Sequence, residues 1–437
     1  MIAVLLFVAL VLCYISFRCK RRRLYELAAL IPEAPMPIPF IGALQYTINL
    51  KDLPYNIMNI IKRFGMFAIE QGGLIKFWAG PVLFVAMTDP TDVEFVLRKC
   101  LDKSNIMWLL QTVTGNSGIF APVHIWVRRR KLTVPAFSPK IINSYTDILI
   151  QKCEKLAQRF SKENLVGTGT FKAWSYVSSH TLDTVFDYTK KKKELEDVVD
   201  ETSNLQNGEN YKTVRCFLDN LIVLSRTDDI TDIELREEVL TFLFGGTDTT
   251  AVTLCNTLKL LAKYPTVQEK VYEEIMQVLG DPTRTITKDD LQQLKYLERV
   301  VKESLRLFPP APILLRKICE ETELPSGKIL PADTHIFIGI WAAGRDPKHW
   351  GPDADCFDPD RFLPDRPTGL FVPFSCGPRN CIGTQFAFMS IKLAITALIR
   401  RYKITGEEEK GPAPHMDCSF NIMMKANDDY EIGLEVR

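Results

Sequence analysis

Read as a pattern of apolar and polar positions, the chain opens with an almost unbroken apolar run over 1–17, closed by Arg18, Lys20, Arg21, Arg22 and Arg23. Such a run is at the short end for a bilayer-spanning helix, and a cleaved signal peptide has a similar one. A signal peptide carries its cations before the run, whereas here they follow it. The expectation is therefore an uncleaved transmembrane anchor over 1–17, with everything after Arg23 on the cytosolic side. Alternating prolines at 32, 35, 37 and 39 forbid helix, so 18–39 reads as a basic stop-transfer segment and a stiff extended hinge, and 40–437 as one globular domain.

Residues 74–87 alternate around Gly80-Pro81, which predicts a two-stranded hairpin, with a short helix to follow over 90–101. Helical spacing at 125–131 places Trp126 and Arg130 on one face. Residues 174–186 are amphipathic. The lysines at 190–193, with Glu194, Glu196, Asp197 and Asp200 after them, read as an exposed helical run. A long helix is expected over 234–263, broken at its centre by Gly245-Gly246, and another over 296–308, where Glu303 and Arg306 share a face before Pro309-Pro310. Residues 329–340 look like a hairpin strand, 385–401 like a core helix, and 419–436 like a terminal hairpin around Asn427-Asp428-Asp429.

Composition narrows this picture little. A chain of 437 residues, 46% hydrophobic, can bury a substantial core. A formal net charge of +1 gives no overall attraction to nucleic acid. Eleven cysteines, an odd number without a C-x-x-C element, suggest neither a disulfide framework nor a zinc site and fit a reducing compartment. Arg128, Arg129 and Lys131 read as a solvated basic face, suited also to an acidic protein partner.

Two stretches carry chemistry. In Phe374-Ser375-Cys376-Gly377-Pro378-Arg379-Asn380-Cys381-Ile382-Gly383, the glycines let the backbone turn and approach a flat group closely. Arg379 places a cation near the Cys381 sulfur, and the amino end of the following helix favours a thiolate further. The competing reading is one more buried free cysteine. In the second stretch, paired glycines inside an apolar helix cost about 1 kcal/mol each against alanine, so Gly245 and Gly246 want a reason. One is a local groove in which Asp248 and Thr249 hold water and relay protons. The other is a kinked core helix with back-bonded threonines.

Taken in order, these residues resemble the cytochrome P-450 superfamily. Phe374 to Gly383 matches its F-x-x-G-x-R-x-C-x-G haem-binding signature, Gly246 to Thr250 its oxygen-activation motif, and Trp126/Arg130 its W-x-x-x-R pair. Glu303/Arg306 matches E-x-x-R, completed by Arg361 in Phe357-Asp358-Pro359-Asp360-Arg361-Phe362. The carboxy-terminal half looks most like the family-4 clan of animal microsomal enzymes, and the proline-rich stretch like their hinge.

The resemblance implies a mainly α fold with a small β-sheet domain, and haem b with Cys381 as axial thiolate and metal ligand. It implies cofactor contacts from Phe374, Gly377, Arg379, Gly383 and Gly246, one propionate on Trp126 and Arg130, and the second on Arg316. Asp248 and Thr249 become the catalytic pair, and Glu303, Arg306 and Arg361 a structural triad that fixes the Cys381 loop. Gly245 stands where relatives often carry a glutamate esterified to haem, and cannot make that bond. Electrons are expected from NADPH through a flavoprotein reductase, with cytochrome b5 as a further donor, at the cytosolic face of the endoplasmic reticulum membrane. The substrate is expected to be hydrophobic, a fatty acid or lipophilic foreign compound, with Phe120, Phe244, Ile313 and Leu314 as pocket candidates. Ile422 and Met423 either reach that pocket or belong to the core.

The chain departs from the family between Val185 and Asp228, where the helices that roof the substrate pocket are largely absent. The alternative function is accordingly a haem-binding but catalytically impaired product of a shortened transcript or gene model.

Overall fold

The computed structural model describes residues 1–35, 42–47, 51–104, 114–116, 118–189, 218, 221–222, 230–281, 283–366 and 369–437. In chain order the elements used below are α1 (Ile2–Lys20), α2 (Arg22–Ala29), α3 (Leu53–Glu70), β1 (Leu74–Ala79), β2 (Val82–Met87) and α4 (Pro90–Lys99). Then come α5 (Val123–Thr133), α6 (Thr146–Lys162), β3 (Thr170–Lys172), α7 (Trp174–Thr189), α8 (Asp232–Lys263), α9 (Pro265–Leu279) and α10 (Lys295–Leu307). The remainder is β4 (Ile313–Ile318), β5 (Thr322–Glu323), β6 (Ile329–Leu330), β7 (Thr334–Gly339), α11 (Thr384–Ile399), β8 (Tyr402–Thr405), β9 (Cys418–Asn421), β10 (Met423–Ala426) and β11 (Glu431–Val436). Long helices dominate and the strands are short, as a mainly α fold requires.

The chain divides into two compact units. Unit 1 holds Met1–Asn105, Ile313–Ala343 and Ser375–Arg379. Its centre is a four-stranded sheet in the order β1-β2-β7-β4. β1 and β2 form the expected hairpin, with Ala79 opposite Val82. β2 runs parallel to β7, which is buried along its whole length. The expected 329–340 hairpin strand is instead two strands in different sheets, because β6 pairs with β5 and β7 with β2 and β4. Asp89 caps α4 by accepting from the amides of Thr91 and Asp92.

The amino terminus of unit 1 differs from expectation in two ways. The described side chains of α1 are exposed, and its last turn already carries Arg18 and Lys20. Its apolar part, Ile2 to Phe17, therefore reaches only about 24 Å at 1.5 Å per residue, against a hydrocarbon core of about 30 Å. Among the described residues, no helix is long and apolar enough to cross a membrane. The basic segment is not a free stop-transfer strand either: Arg22 and Arg23 begin α2, whose Leu24, Leu27 and Ala28 are buried. Pro37 and Pro39 of the hinge lie outside the described residues.

Unit 2 holds Ile106–Pro312, Gly344–Phe374 and Asn380–Arg437. α8 is its axis, opened by a capping box in which Thr231 and Glu234 satisfy each other's amides. It packs on α7, α10 and α11, while α11 also packs on α6. From Thr250 to Leu258 α8 is buried on every side, whereas 242–249 is half-buried. The expected central break does not occur, for the helix is continuous through Gly245-Gly246. β3, β11 and β8 make one sheet and β9 and β10 another. The terminal hairpin turns at Ile422, which takes a φ of +67°, and not at 427–429. Ile422 is exposed and Met423 buried. The lysine run at 190–193 and the acidic residues after it lie outside the described residues.

Candidate active site

Cys381 stands just before α11 in unit 2. Its amide donates to the Phe374 carbonyl at 2.8 Å, and the Phe374 ring packs at 5.5 Å on Phe388 of α11. A hydrogen bond and a ring contact thus hold the two ends of the motif. Gly383 is the residue before the first turn of α11; its φ of −88° needs no glycine, but a Cβ there would lie 3.9 Å from the Cys381 sulfur. Gly377, in unit 1, does need to be glycine: its φ is +73°, and a Cβ would come within 2.9 Å of backbone atoms of Leu97 and Arg98.

Cys381 is exposed, yet burial of its sulfur raises the thiol pKa, against the Gly383 amide, the Thr384 hydroxyl and the Arg130 charge, which lower it. The cation that favours its thiolate is Arg130, not Arg379 as expected. Arg130 donates from Nη1 to the Asn380 carbonyl at 2.9 Å and from Nη2 to Asn380 Oδ1 at 2.7 Å. Trp126, one turn earlier on α5, is buried.

The basic face expected around Arg130 is only partly solvated. Arg129 is buried and meets Glu237 at 2.8 Å, Glu234 at 3.2 Å and Glu238 at 3.4 Å, all on α8. It also donates to the Asn116 carbonyl, while Glu238 accepts from the Gly118 amide at 3.0 Å. Although burial opposes it, the Thr231 amide and hydroxyl and Arg129 hold Glu234 at about 2. Burial raises the Glu238 pKa in spite of the same arginine. Three carboxylates at helical spacing opposite Arg-Arg-Arg were visible in the sequence; that α5 and α8 bring them together was not.

On α8, the Thr249 hydroxyl donates to the Gly245 carbonyl at 2.6 Å, and Thr253 and Thr257 repeat the pattern one and two turns on. Threonine back-bonding thus accounts for this face without a kink. Gly246 lies against α7, where a Cβ would meet Val185 at 3.2 Å, so the residue permits close helix packing. Among the described residues, a Cβ at Gly245 would meet only Ile119, at 3.5 Å. Asp248 faces Lys425 of β10 at 3.9 Å, and the same ammonium sits 3.6 Å from the centre of the Trp174 ring.

Glu303 and Arg306 form a buried bidentate pair, both contacts at 2.6 Å. Arg306 donates further to the carbonyls of Gly344, Ala354 and Cys356, and Glu303 accepts the Asp358 amide at 3.0 Å. Arg361 reaches Glu303 only at 3.5 Å and is held mainly by Asp353 and the Trp350 carbonyl. The hydrogen bonds of this group, among the described residues, end in 344–358 rather than on the Cys381 motif itself.

Arg316 lies in unit 1 and is fully buried. Its Nη1 donates to the Leu315 carbonyl at 3.0 Å, whereas its Nε and Nη2 are buried without a partner among the described residues. Burial lowers its pKa to about 10. Burial and the Arg316 charge bring Arg379 to about 10 as well. Lys103, absent from the sequence reading, is pushed well below the ordinary lysine value by burial and then by Arg316 and Arg379. A buried arginine with two idle donors, repelled by neighbouring cations, is a site for an anion, and a haem propionate has the required charge and acceptors.

A model of the cytochrome P450 family matches residues 181–431. This chain belongs to the cytochrome P450 family. It is similar to cytochrome P450 4d2 of Drosophila melanogaster, at 28% identity over 93% of this chain and 94% of that protein. It shares 30% identity with probable cytochrome P450 313a3 of the same fly, covering 92% and 93% of the two chains. Human cytochrome P450 4V2 is 29% identical over 77% of this chain and 78% of its own. The P450 is thus a family-4-like haem monooxygenase, an oxidoreductase. The alignment with the 4d2 protein runs over 483 positions, more than this chain's 437 residues, so that relative carries positions this one lacks.

Proposed function

We propose that this P450 inserts one oxygen atom into a hydrophobic small molecule, a fatty acid or lipophilic foreign compound, and that the Cys381 thiolate would hold the iron of haem b. The observation that carries the assignment is the closed motif around Cys381, with its amide on Phe374 and Arg130 on Asn380. When bound, haem supplies the activation of dioxygen, which thiolate ligation assists. Trp126 and Arg130 would hold one propionate, and Arg316 with Arg379 the second. Gly377 and Gly383 would let the motif approach the haem closely, Gly246 keeps α8 close to α7, and Phe374 would shield the sulfur. Glu303, Arg306 and Arg361 brace the segment leading to the motif. Thr249 and Asp248 would hold water and pass protons toward the bound oxygen. Gly245 leaves the cofactor without an ester link.

Electrons come from NADPH through a flavoprotein reductase, with cytochrome b5 as a second donor. Residues 40–437 act as one catalytic domain at the cytosolic face of the endoplasmic reticulum. The test of the ligand is Cys381→Ala. The variant should lose the red-shifted absorption band that a thiolate ligand gives the reduced carbon monoxide complex, and survival of that band would refute the assignment.

A second reading, haem binding with impaired turnover, is favoured by one observation, the positions that the 4d2 relative carries and this chain lacks. We place the deficit after Val185. Product formed per NADPH consumed separates the readings, since the impaired chain would consume NADPH and release mainly peroxide.

A further inference from the structure

Thr384 is the first residue of α11 and stands three positions after Cys381. It is half-buried, and its hydroxyl donates back to the Cys381 carbonyl at 3.1 Å. Threonine can make such a bond in a helix because one of its favoured χ1 rotamers brings Oγ1 against the carbonyl three or four residues earlier. At the head of α11 that carbonyl belongs to the cysteine motif, so the bond aims the hydroxyl at Cys381 rather than at solvent.

The Cys381 sulfur is a second acceptor within hydrogen-bonding reach of the same hydroxyl. The rest of its surroundings is fixed. The Cys381 amide is held by the Phe374 carbonyl at 2.8 Å, and the Gly383 amide donates to the sulfur. Gly383 lies close against it, since a Cβ there would stand 3.9 Å from the sulfur and 4.0 Å from the Phe137 ring. A backbone amide in such a place cannot turn away. The hydroxyl proton can, because rotation about the Cβ–Oγ1 bond moves no heavy atom. Thr384 thus supplies a rotatable donor beside the fixed one of Gly383.

Charge on the sulfur decides between the two acceptors. A thiol sulfur accepts weakly, so the proton stays on the carbonyl. A thiolate carries negative charge, and a hydrogen bond to an ionised acceptor is about twice as strong as a neutral one. Giving up the carbonyl costs little, because that bond is at an exposed position where water can take the place of the hydroxyl.

We infer that Thr384 is a positioning residue that tunes the metal ligand: its hydroxyl turns from the Cys381 carbonyl to the Cys381 sulfur when that sulfur carries the charge of a metal-bound thiolate. The inference rests on the reading of Cys381 as the haem ligand. Hydrogen bonding to the axial ligand is one of the levers by which a protein sets a haem potential. Thr384 holds part of the sulfur's charge back from the iron. That favours the ferrous state over the ferric one and eases the first reduction, at the expense of the electron donation that assists dioxygen activation.

The test uses the full haem-loaded chain, titrated between its ferric and ferrous states and followed by absorption. Thr384→Val keeps the branched shape and a similar helix propensity but has a methyl in place of the hydroxyl, whereas Thr384→Ser keeps the hydroxyl. At the potential that half-reduces the wild type, the ferrous-to-ferric ratio of Thr384→Val should fall about threefold or more, about 28 mV for one electron. Thr384→Ser should titrate with the wild type. The infrared C–O stretch of the reduced carbon monoxide complex should move to lower frequency in the valine variant and return in the serine variant, because a thiolate without the bond donates more charge through the iron into the C–O group. A merely structural role at the head of α11 would lower the melting temperature of the valine variant and leave its potential and C–O stretch in place. That outcome, or a potential that rises, overturns the inference and leaves Cys381 standing as the ligand. So does a serine variant that behaves as valine, since shape and not the hydroxyl would then decide. Absence of the red-shifted band from the wild type itself would overturn the reading of Cys381, and the inference with it.

Discussion

Arg130 binds Asn380 through both guanidinium nitrogens, at 2.9 and 2.7 Å, one residue ahead of Cys381. This fork ties α5 to the cysteine motif, so the residue proposed for a propionate also positions the loop that carries Cys381. Arg130→Met removes both bonds and should cost roughly 1–2 kcal/mol, the range for charge-assisted bonds at a half-buried site. Arg130→Lys should recover less than half, because an ammonium cannot reproduce the planar fork. Urea titration followed at the carbon monoxide band reads both; equal midpoints for arginine and lysine would remove the fork from the argument.

Glu303 and Arg306 face a harsher balance, since each is fully buried and the arginine serves three backbone carbonyls besides the carboxylate. Removing one partner strands the other charge, which costs about 3–5 kcal/mol in comparable buried pairs. Arg306→Met should therefore yield little folded protein. Arg361→Met should cost less with respect to Glu303, given its 3.5 Å separation from that carboxylate, and act mainly through Asp353 and Trp350. Circular dichroism melts of the two variants give the order, and the reverse order would contradict it.

His180 supplies a pH dependence. Burial and the neighbouring Lys152 lower its pKa from 6.5 to about 4, and Cys153 Sγ lies 3.9 Å from its ring. The unfolded chain takes up a proton near 6.5 while the folded one does not until about 4. Its contribution to stability is therefore complete above 6.5, declines as the pH falls, and is gone below about 4, a loss of roughly 3 kcal/mol. Glu234, held at about 2, adds an independent loss as the pH falls below the ordinary carboxylate range. His180→Gln should flatten the urea midpoint between pH 6.5 and 4.5 and leave the steeper fall below it. An unchanged slope in that window would assign the effect elsewhere.

Where local chemistry decides, the sequence was legible. The prolines after α10, the Gly80-Pro81 turn and the apolar stripe of α11 placed those elements within a few residues, and the Phe374 to Gly383 spacing singled out the cysteine motif. What stayed hidden depends on partners distant in the chain. Arg129 looks like its solvated neighbours until three glutamates of α8 surround it. Lys76 looks like a polar position on an alternating strand until the end of α2 arrives above it. Gly245-Gly246 suggested a break because glycine weakens a helix, but Val185 packing against Gly246 supplies a different reason for one of them. The terminal turn was misplaced because Asn-Asp-Asp is the stronger turn composition, whereas the register puts Ile422 at the bend.

The last prediction concerns Asp248, Thr249 and Lys425. Thr249 spends its hydroxyl proton on the Gly245 carbonyl, which leaves the oxygen free to accept from water, while Lys425 stands 3.9 Å from the Asp248 carboxylate and against the Trp174 face. Both substitutions should be structurally mild. A back-bonded hydroxyl contributes less than about 1 kcal/mol, and so does an ion pair this long and this exposed. Thr249→Ala should keep haem content and oxygen consumption while raising peroxide released per product formed. If Lys425 orients the carboxylate for the same proton path, Lys425→Met should raise peroxide too, Lys425→Arg should restore coupling, and the Thr249→Ala/Lys425→Met pair should be no worse than the poorer single variant, because steps on one path are not additive. If Lys425 merely pins β10 to α8, the melting temperature should fall and coupling should not move. NADPH consumed, product and peroxide, measured in membranes reconstituted with reductase, together with a melt of each variant, decide between the two. Additive losses in the double variant would place the two residues on separate paths.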